Sequence, residues 1–181
     1  MAVLSSRERK RRRRQVRETA RELLAAQEAG ADLRHLFPEI PLFIQDQLDA
    51  AVAQTGERLD QVGTVLNYNK RRAYPKGPLA LAIWEFLLEG MAGLQEKCNH
   101  IGNMPLPMFA SLWNRKLRCA KCAAEWIERQ GLLLPERERF TCDLCRRYRP
   151  GDCRDAALQI GPLQLSYGIC DACFVASGFE L

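Results

Sequence analysis

Six of the chain's eight cysteines stand in three Cys-x-x-Cys pairs, Cys119/Cys122, Cys142/Cys145 and Cys170/Cys173, and this spacing constrains the fold more than any other feature. Two intervening residues place both sulfurs on one tight turn, and two such turns supply the four donors of a tetrahedral zinc ion. The basic start runs into a polar stretch at residues 15–19, where a secretory signal would need an apolar run of roughly 7–15 residues. The most apolar segment, residues 79–94, contains Glu85 and Glu89 and falls short of the ~20 residues that span a bilayer. The expectation is a cytoplasmic protein, nucleoid-associated if bacterial, with no membrane contact. In a reducing compartment stable disulfides are disfavoured, so metal ligation is the leading reading of the cysteines.

Cys142/Cys145 and Cys170/Cys173 flank two short predicted strands around Gly161-Pro162, and a short helix is expected after the last pair. This is the pattern of a four-cysteine zinc site. Upstream, Cys98-Asn99-His100 offers a thiolate and an imidazole, residues 109–117 suit a hairpin, and Cys119/Cys122 opens a helix reaching Gln130. A second site of Cys98, His100, Cys119 and Cys122 follows, although a rival pairing of Cys119/Cys122 with Cys142/Cys145 stays open. The histidine and the long hairpin spacing favour two Zn2+ ions over an iron–sulfur cluster. Cys153 matches no ligand slot and reads as a bystander thiol.

The first half of the chain reads as helical. Ser5 and Glu8 form a capping box and Gly30 a C-terminal stop, enclosing a helix of about 24 residues. Val16, Ala20, Leu23 and Leu24 share one of its faces, beside a cationic stripe of Lys10, Arg14, Arg17 and Arg21. A loop is expected at 32–41, then helices at 42–55 and 57–73 separated by Gly56, the second ending in Lys70-Arg71-Arg72. These two are read as helices of an ordinary bundle in preference to a ribbon-helix-helix unit. The run 74–78 breaks the helix, and residues 79–97 predict one apolar almost all round at the centre of the bundle. The division expected is a basic amphipathic arm at 1–30, a helical bundle at 31–97, and zinc modules at 98–131 and 132–181. Modules this small make too little core to stand alone, which is a physical reason for structural metal.

Both cysteine-bearing units run knuckle, hairpin, paired cysteines, helix, and in this they resemble treble-clef or zinc-ribbon zinc fingers. The resemblance, which covers about residues 98–131 and 140–179, implies small α+β zinc-finger modules following the mainly α N-terminal region expected above. It implies as ligands Cys98, His100, Cys119 and Cys122 in the first, and Cys142, Cys145, Cys170 and Cys173 in the second. Four protein ligands leave no open position for catalysis at the metal. Asn99-His100 suggests a nuclease of the His-Asn-His type, but such a site needs further histidines, and the chain has only His35 and His100. No enzyme is expected.

Charge points to a partner. Residues 1–21 hold nine Lys/Arg against two Asp/Glu, while the remainder is slightly acidic. Arginines so crowded call for an anionic partner. Further cationic patches lie at Lys70–Arg72 with Lys76, at Arg115, Lys116, Arg118 and Lys121, and at Arg146, Arg147, Arg149 and Arg154. The sequence thus points to nucleic-acid binding, DNA before RNA, in an accessory or transcription-regulating role. Phosphate contacts are assigned to Lys10, Arg11, Arg12, Arg13, Arg14, Arg17 and Arg21, with Arg115, Lys116 and Arg118 as a second anchor. The alternative is an adaptor whose zinc lobes dock a protein of a larger nucleic-acid-associated machine.

Overall fold

The computed structural model describes residues 5–32, 45–66, 75–102, 107–130, 137 and 140–180. Helix α1 (Ser6–Glu28) opens on the predicted capping box: the Glu8 amide donates to the Ser5 hydroxyl, and the Ser5 amide donates to the Glu8 carboxylate at 2.9 Å. It closes in a Schellman turn, with Gly30 at φ +82° donating to Gln27 and Ala31 donating to Ala26. Val16 and Ala20 are buried, and Lys10 to Arg14, Arg17 and Arg21 face solvent.

The next helix differs from the expectation. Helix α2 (Gln45–Leu66) runs unbroken through Gly56, which the sequence reading takes as a stop. An interior glycine costs a helix only ~1 kcal/mol and leaves its hydrogen bonds intact. Here it makes room. A Cβ at Gly56 would stand 3.2 Å from Gln159 Oε1, whose own Nε2 donates to Val52 O at 2.7 Å. The neighbouring Thr55 is fully buried, its hydroxyl 2.8 Å from Ala51 O and 3.0 Å from Pro162 O. Thr55-Gly56 is therefore a docking point for a distant hairpin. Residues 33–41 of the loop expected at 32–41, His35 and the cluster Lys70–Arg72 lie outside the described residues.

Helix α3 (Gly77–Met91) follows the expected break at Pro75-Lys76 but ends before residue 97. Gly93, at φ +65°, donates to Gly90 O, and Leu94 donates to Glu89 O, a second Schellman turn that stops the helix at Ala92. α1 packs antiparallel on it. Trp84 Nε1 donates to Gln27 Oε1 at 2.8 Å, and Arg12 reaches the capping carbonyl of Ala92.

Strands β1 (Met108–Ser111), β2 (Arg118–Cys119), β3 (Cys153–Ile160) and β4 (Leu163–Cys170) form one mixed sheet in the order β2-β1-β4-β3. The expected hairpin turns at Gly161-Pro162 and keeps register from Ile160↔Leu163 to Cys153↔Cys170. β1 and β2 pair antiparallel, and helix α4 (Ala120–Gln130) follows directly. A short helix α5 (Asp171–Ala176) follows β4. The parallel pairing of β1 with β4, Met108↔Leu163 to Ser111↔Ser166, fuses the two hairpins. Hydrophobic burial drives this fusion. Ala110 and Leu112 from one unit and Leu163, Leu165, Tyr167 and Ile169 from the other join α3 residues Leu79, Ile83 and Phe86 in a single core.

α3 is seated by its first residue as well as by its apolar face. Lys76 N donates to Ser177 O at 2.9 Å, and Gly77 sits at φ +51° with its Cβ position 2.7 Å from Ala176 O. No other residue type allows the backbones of α3 and α5 to pass so closely.

Candidate metal centres

The first knuckle hangs on the β1–β2 connection. Leu117 N donates to Glu96 O at 2.9 Å and Cys98 N donates to Leu117 O at 3.0 Å, which presents Cys98 to the start of α4. The second is braced harder. Cys142 N donates to Arg147 O, Arg146 N returns to Cys142 O, and Asp143 clasps β4 through two bonds, Asp143 N to Gly168 O and Gly168 N to Asp143 Oδ2. Burial pushes the Asp143 carboxyl up to about 6, against the pull of the Gly168 amide and Arg146. On the partner turn, Asp171 accepts from Arg154 Nε at 2.6 Å.

These supports bring eight side chains into two groups, Cys98, His100, Cys119 and Cys122, and Cys142, Cys145, Cys170 and Cys173. Within each group the ligand atoms lie within 4.8 Å of one another. The pairing of Cys119/Cys122 with Cys142/Cys145 does not occur. Tetrahedral zinc spaces two thiolate sulfurs about 3.8 Å apart, and a sulfur and a ring nitrogen about 3.6 Å apart. Cys145 Sγ and Cys170 Sγ are 3.9 Å apart, and His100 Nδ1 is 3.2 Å from Cys122 Sγ and 3.9 Å from Cys119 Sγ. Both groups fit a zinc ion in donor type, number and spacing, so the protein offers two Cys/His sites suited to two zinc ions.

Thiol acidity follows the same logic. Burial raises the Cys98 thiol, but backbone amides of Cys119 and His100 and the thiols of Cys119 and Cys122 outweigh it and bring it down to about 6. Cys142 is likewise raised by burial yet held at about 7 by the amides of Cys145, Cys170 and Leu144. Desolvation and the neighbouring sulfurs push Cys122 up to about 11 and raise Cys170 and Cys173 as well. One thiolate forms easily in each group while Cys122, Cys170 and Cys173 resist, because clustered negative sulfurs need a cation to hold them together. Bound zinc would supply that charge and lock the two turns of each site.

Cys153 joins neither group. It pairs across the hairpin with Cys170, its Sγ donates to Phe140 O at 3.3 Å, and burial pushes it up to about 11.

The cationic residues expected at phosphates divide. Lys10, Arg11, Arg13, Arg17 and Arg21 are exposed, and among the described residues only Arg14 of the set forms a salt bridge on the helix surface, with Glu18. Arg115 is turned inward instead. Its side chain is 29% exposed with guanidinium Nε and Nη2 buried, and the guanidinium lies 3.2 Å from Glu89 and 3.8 Å from Glu85 of α3. Lys116 faces Glu96 at 3.8 Å. Arg118 stacks over Trp126 and donates to Asn114 Oδ1, forming with Lys97, Cys98, His100 and Arg129 the wall of a groove of about 510 Å³ beside the first metal group. Spacing alone did not reveal Asp143 and Asp171, although an aspartate inside each of the last two Cys-x-x-Cys pairs was the available signal. Among the described residues no helix is long and apolar enough to cross a membrane. No protein-family model, no curated protein and no solved structure matches the chain.

Proposed function

We propose that the chain is a non-enzymatic, zinc-stabilised nucleic-acid-binding protein with a regulatory or accessory role, acting in the cytoplasm on DNA in preference to RNA. Its cysteine-bearing units are read as treble clefs. In each, a knuckle, a hairpin and a helix stand in that order, and the second ligand pair lies where hairpin passes into helix. Zinc serves as structure, since each group offers four protein donors and leaves no position for a reacting water.

The observation that carries the nucleic-acid reading is the projection of α1. Arg12 meets the residue that caps α3, so the turns before it run past the end of that helix by about 9 Å at 1.5 Å per residue. Arg7, Arg9, Lys10 and Arg11 are exposed on that projecting part of the helix, with Arg13 and Arg17 exposed beyond it. An adaptor reading draws its support from the zinc half, where Arg115, Lys116 and Arg154 each face a carboxylate. The test is titration of the full chain against duplex DNA and RNA at two salt concentrations. A variant with Lys10 to Arg14 replaced by glutamine is compared. Loss of affinity, with a log–log salt slope shallower by about 0.9 per lost DNA phosphate contact, is expected. Unchanged affinity and slope would overturn the reading.

A further inference from the structure

The second knuckle leaves a cationic loop that the metal site builds but does not use. Residues 145–150 are all exposed, and Arg146, Arg147 and Arg149 project from them. Unlike Arg115, Lys116, Arg129 and Arg154, neither Arg147 nor Arg149 has a carboxylate partner among the described residues. The loop is rigid. Arg147 O accepts from Cys142, Arg149 N donates to Phe140 O at 2.7 Å, and Tyr148 bridges to Thr141.

Arg146 is the telling residue. It sits at φ +59°, a left-handed conformation that glycine adopts freely and that a side chain adopts at a cost. The arginine spends its length on Trp113, placing its guanidinium 4.9 Å from the ring centroid. Trp113 belongs to the β1–β2 connection of the other metal unit and is 40% exposed. The loop and the tryptophan thus form one surface across both zinc units: an aromatic face, a stacked guanidinium, and two further guanidinium groups on a braced turn.

We propose that this surface is a base-stacking site for single-stranded nucleic acid, with an unpaired base on the Trp113–Arg146 platform and the adjoining phosphates on Arg147 and Arg149. Duplex bases are already stacked on one another, so an aromatic platform favours unpaired strands, whereas the α1 arginines act on any phosphate backbone. An acidic protein segment would use the guanidinium groups and leave the ring idle. The inference rests on the nucleic-acid reading above and adds the strand type and a second contact.

The test uses the full zinc-loaded chain and a labelled 20-nucleotide single strand, its duplex, and poly-glutamate as competitor. Trp113→Ala is expected to weaken single-strand binding by about 5- to 150-fold, the range for one stacked base, and to weaken duplex binding less. Arg147→Gln with Arg149→Gln, on side chains outside the core, is expected to make the single-strand salt slope shallower by about 1.4, at about 0.7 per contact. Zinc content of two ions per chain verifies that each variant is folded. If these variants bind the single strand as wild type does while the α1 glutamine variant does not bind, the stacking site is refuted and the arm reading stands. If wild type binds neither strand form, the nucleic-acid reading itself fails and this site with it. Displacement by poly-glutamate that the Arg147/Arg149 variant abolishes, with Trp113→Ala inert, overturns the site in favour of an acidic protein.

Discussion

The two metal groups are chemically alike but differently placed, and replacing one ligand in each should separate their roles. Cys142 and Cys170 lie inside the core, in the same cluster as Leu79, Phe86, Leu165 and Ile169, the largest fully buried apolar side chains. Burial of those four contributes ~6–12 kcal/mol at ~1.5–3 kcal/mol each, which is the scale of a whole domain's stability of ~5–15 kcal/mol. His100 is exposed, and neither it nor Cys98 or Cys122 belongs to that cluster. Structural zinc contributes ~10–16 kcal/mol by zinc-finger precedent, so losing one ligand in four at the second site costs at least ~3 kcal/mol. For a chain of this size that lowers Tm by about 6–12 °C. Cys142→Ser should therefore bind one zinc in place of two and melt at least that much earlier, or lose its cooperative transition. His100→Ala should also bind one zinc, with a Tm shift less than half as large. Elemental analysis and calorimetry on both variants decide the matter. Equal shifts, or a Cys142→Ser protein with two zinc ions and an unchanged melt, would refute the assignment of the second site to the core.

Four further outcomes follow from single contacts. Gly77→Ala, with φ +51° and a Cβ position 2.7 Å from Ala176 O, should destabilise by ~2 kcal/mol or more, and an unchanged denaturant midpoint would contradict the close α3–α5 passage. Arg115→Gln should cost ~1–3 kcal/mol of stability by leaving Glu85 and Glu89 unpaired, while its DNA affinity matches wild type; a binding loss at constant stability would restore Arg115 to the phosphate contacts. Cys98 at about 6 and Cys142 at about 7 lie below the ordinary thiol value of roughly 8.5–9, so the folded protein binds fewer protons than the unfolded chain in between. Their stabilisation is complete above about 9 and is lost as pH falls through 7 and then 6, so Tm of the zinc-free chain should rise from pH 6 to 9, and a flat profile would count against it. Cys153→Ser should retain two zinc ions by elemental analysis, since that thiol hydrogen-bonds Phe140 O and belongs to neither ligand group.

What the sequence revealed and what it hid divide along a physical line. Ligand spacing, the capping box, the Gly161-Pro162 turn and the apolar run of α3 are local, each settled by residues within a few positions of one another. Hidden features depend on partners far along the chain. Gly56 looks like a helix stop until Gln159 is beside it, and the Arg115 cluster looks like a phosphate site until Glu85 and Glu89 are found across from it. The parallel register of β1 on β4 has no local signal at all, because it arises where two incomplete apolar faces meet.

That register also decides how the charges are to be read. Because the two units share one sheet, the β1–β2 connection of the first lies against the knuckle of the second, and Trp113 meets Arg146. The same fusion draws Arg115 down onto α3 and takes it out of solvent. Cations that fold inward hold the units together, and those left outward on a braced loop and on a projecting helix remain for a partner. A count of arginines along the chain cannot separate the two classes, but the sheet does. Were the units independent beads on a string, every cationic patch would be equally available and mutating any of them would weaken binding alike. Joined to the proposed function, the single core predicts the opposite: Arg115 variants should change stability, whereas Arg147, Arg149 and α1 variants should change nucleic-acid binding.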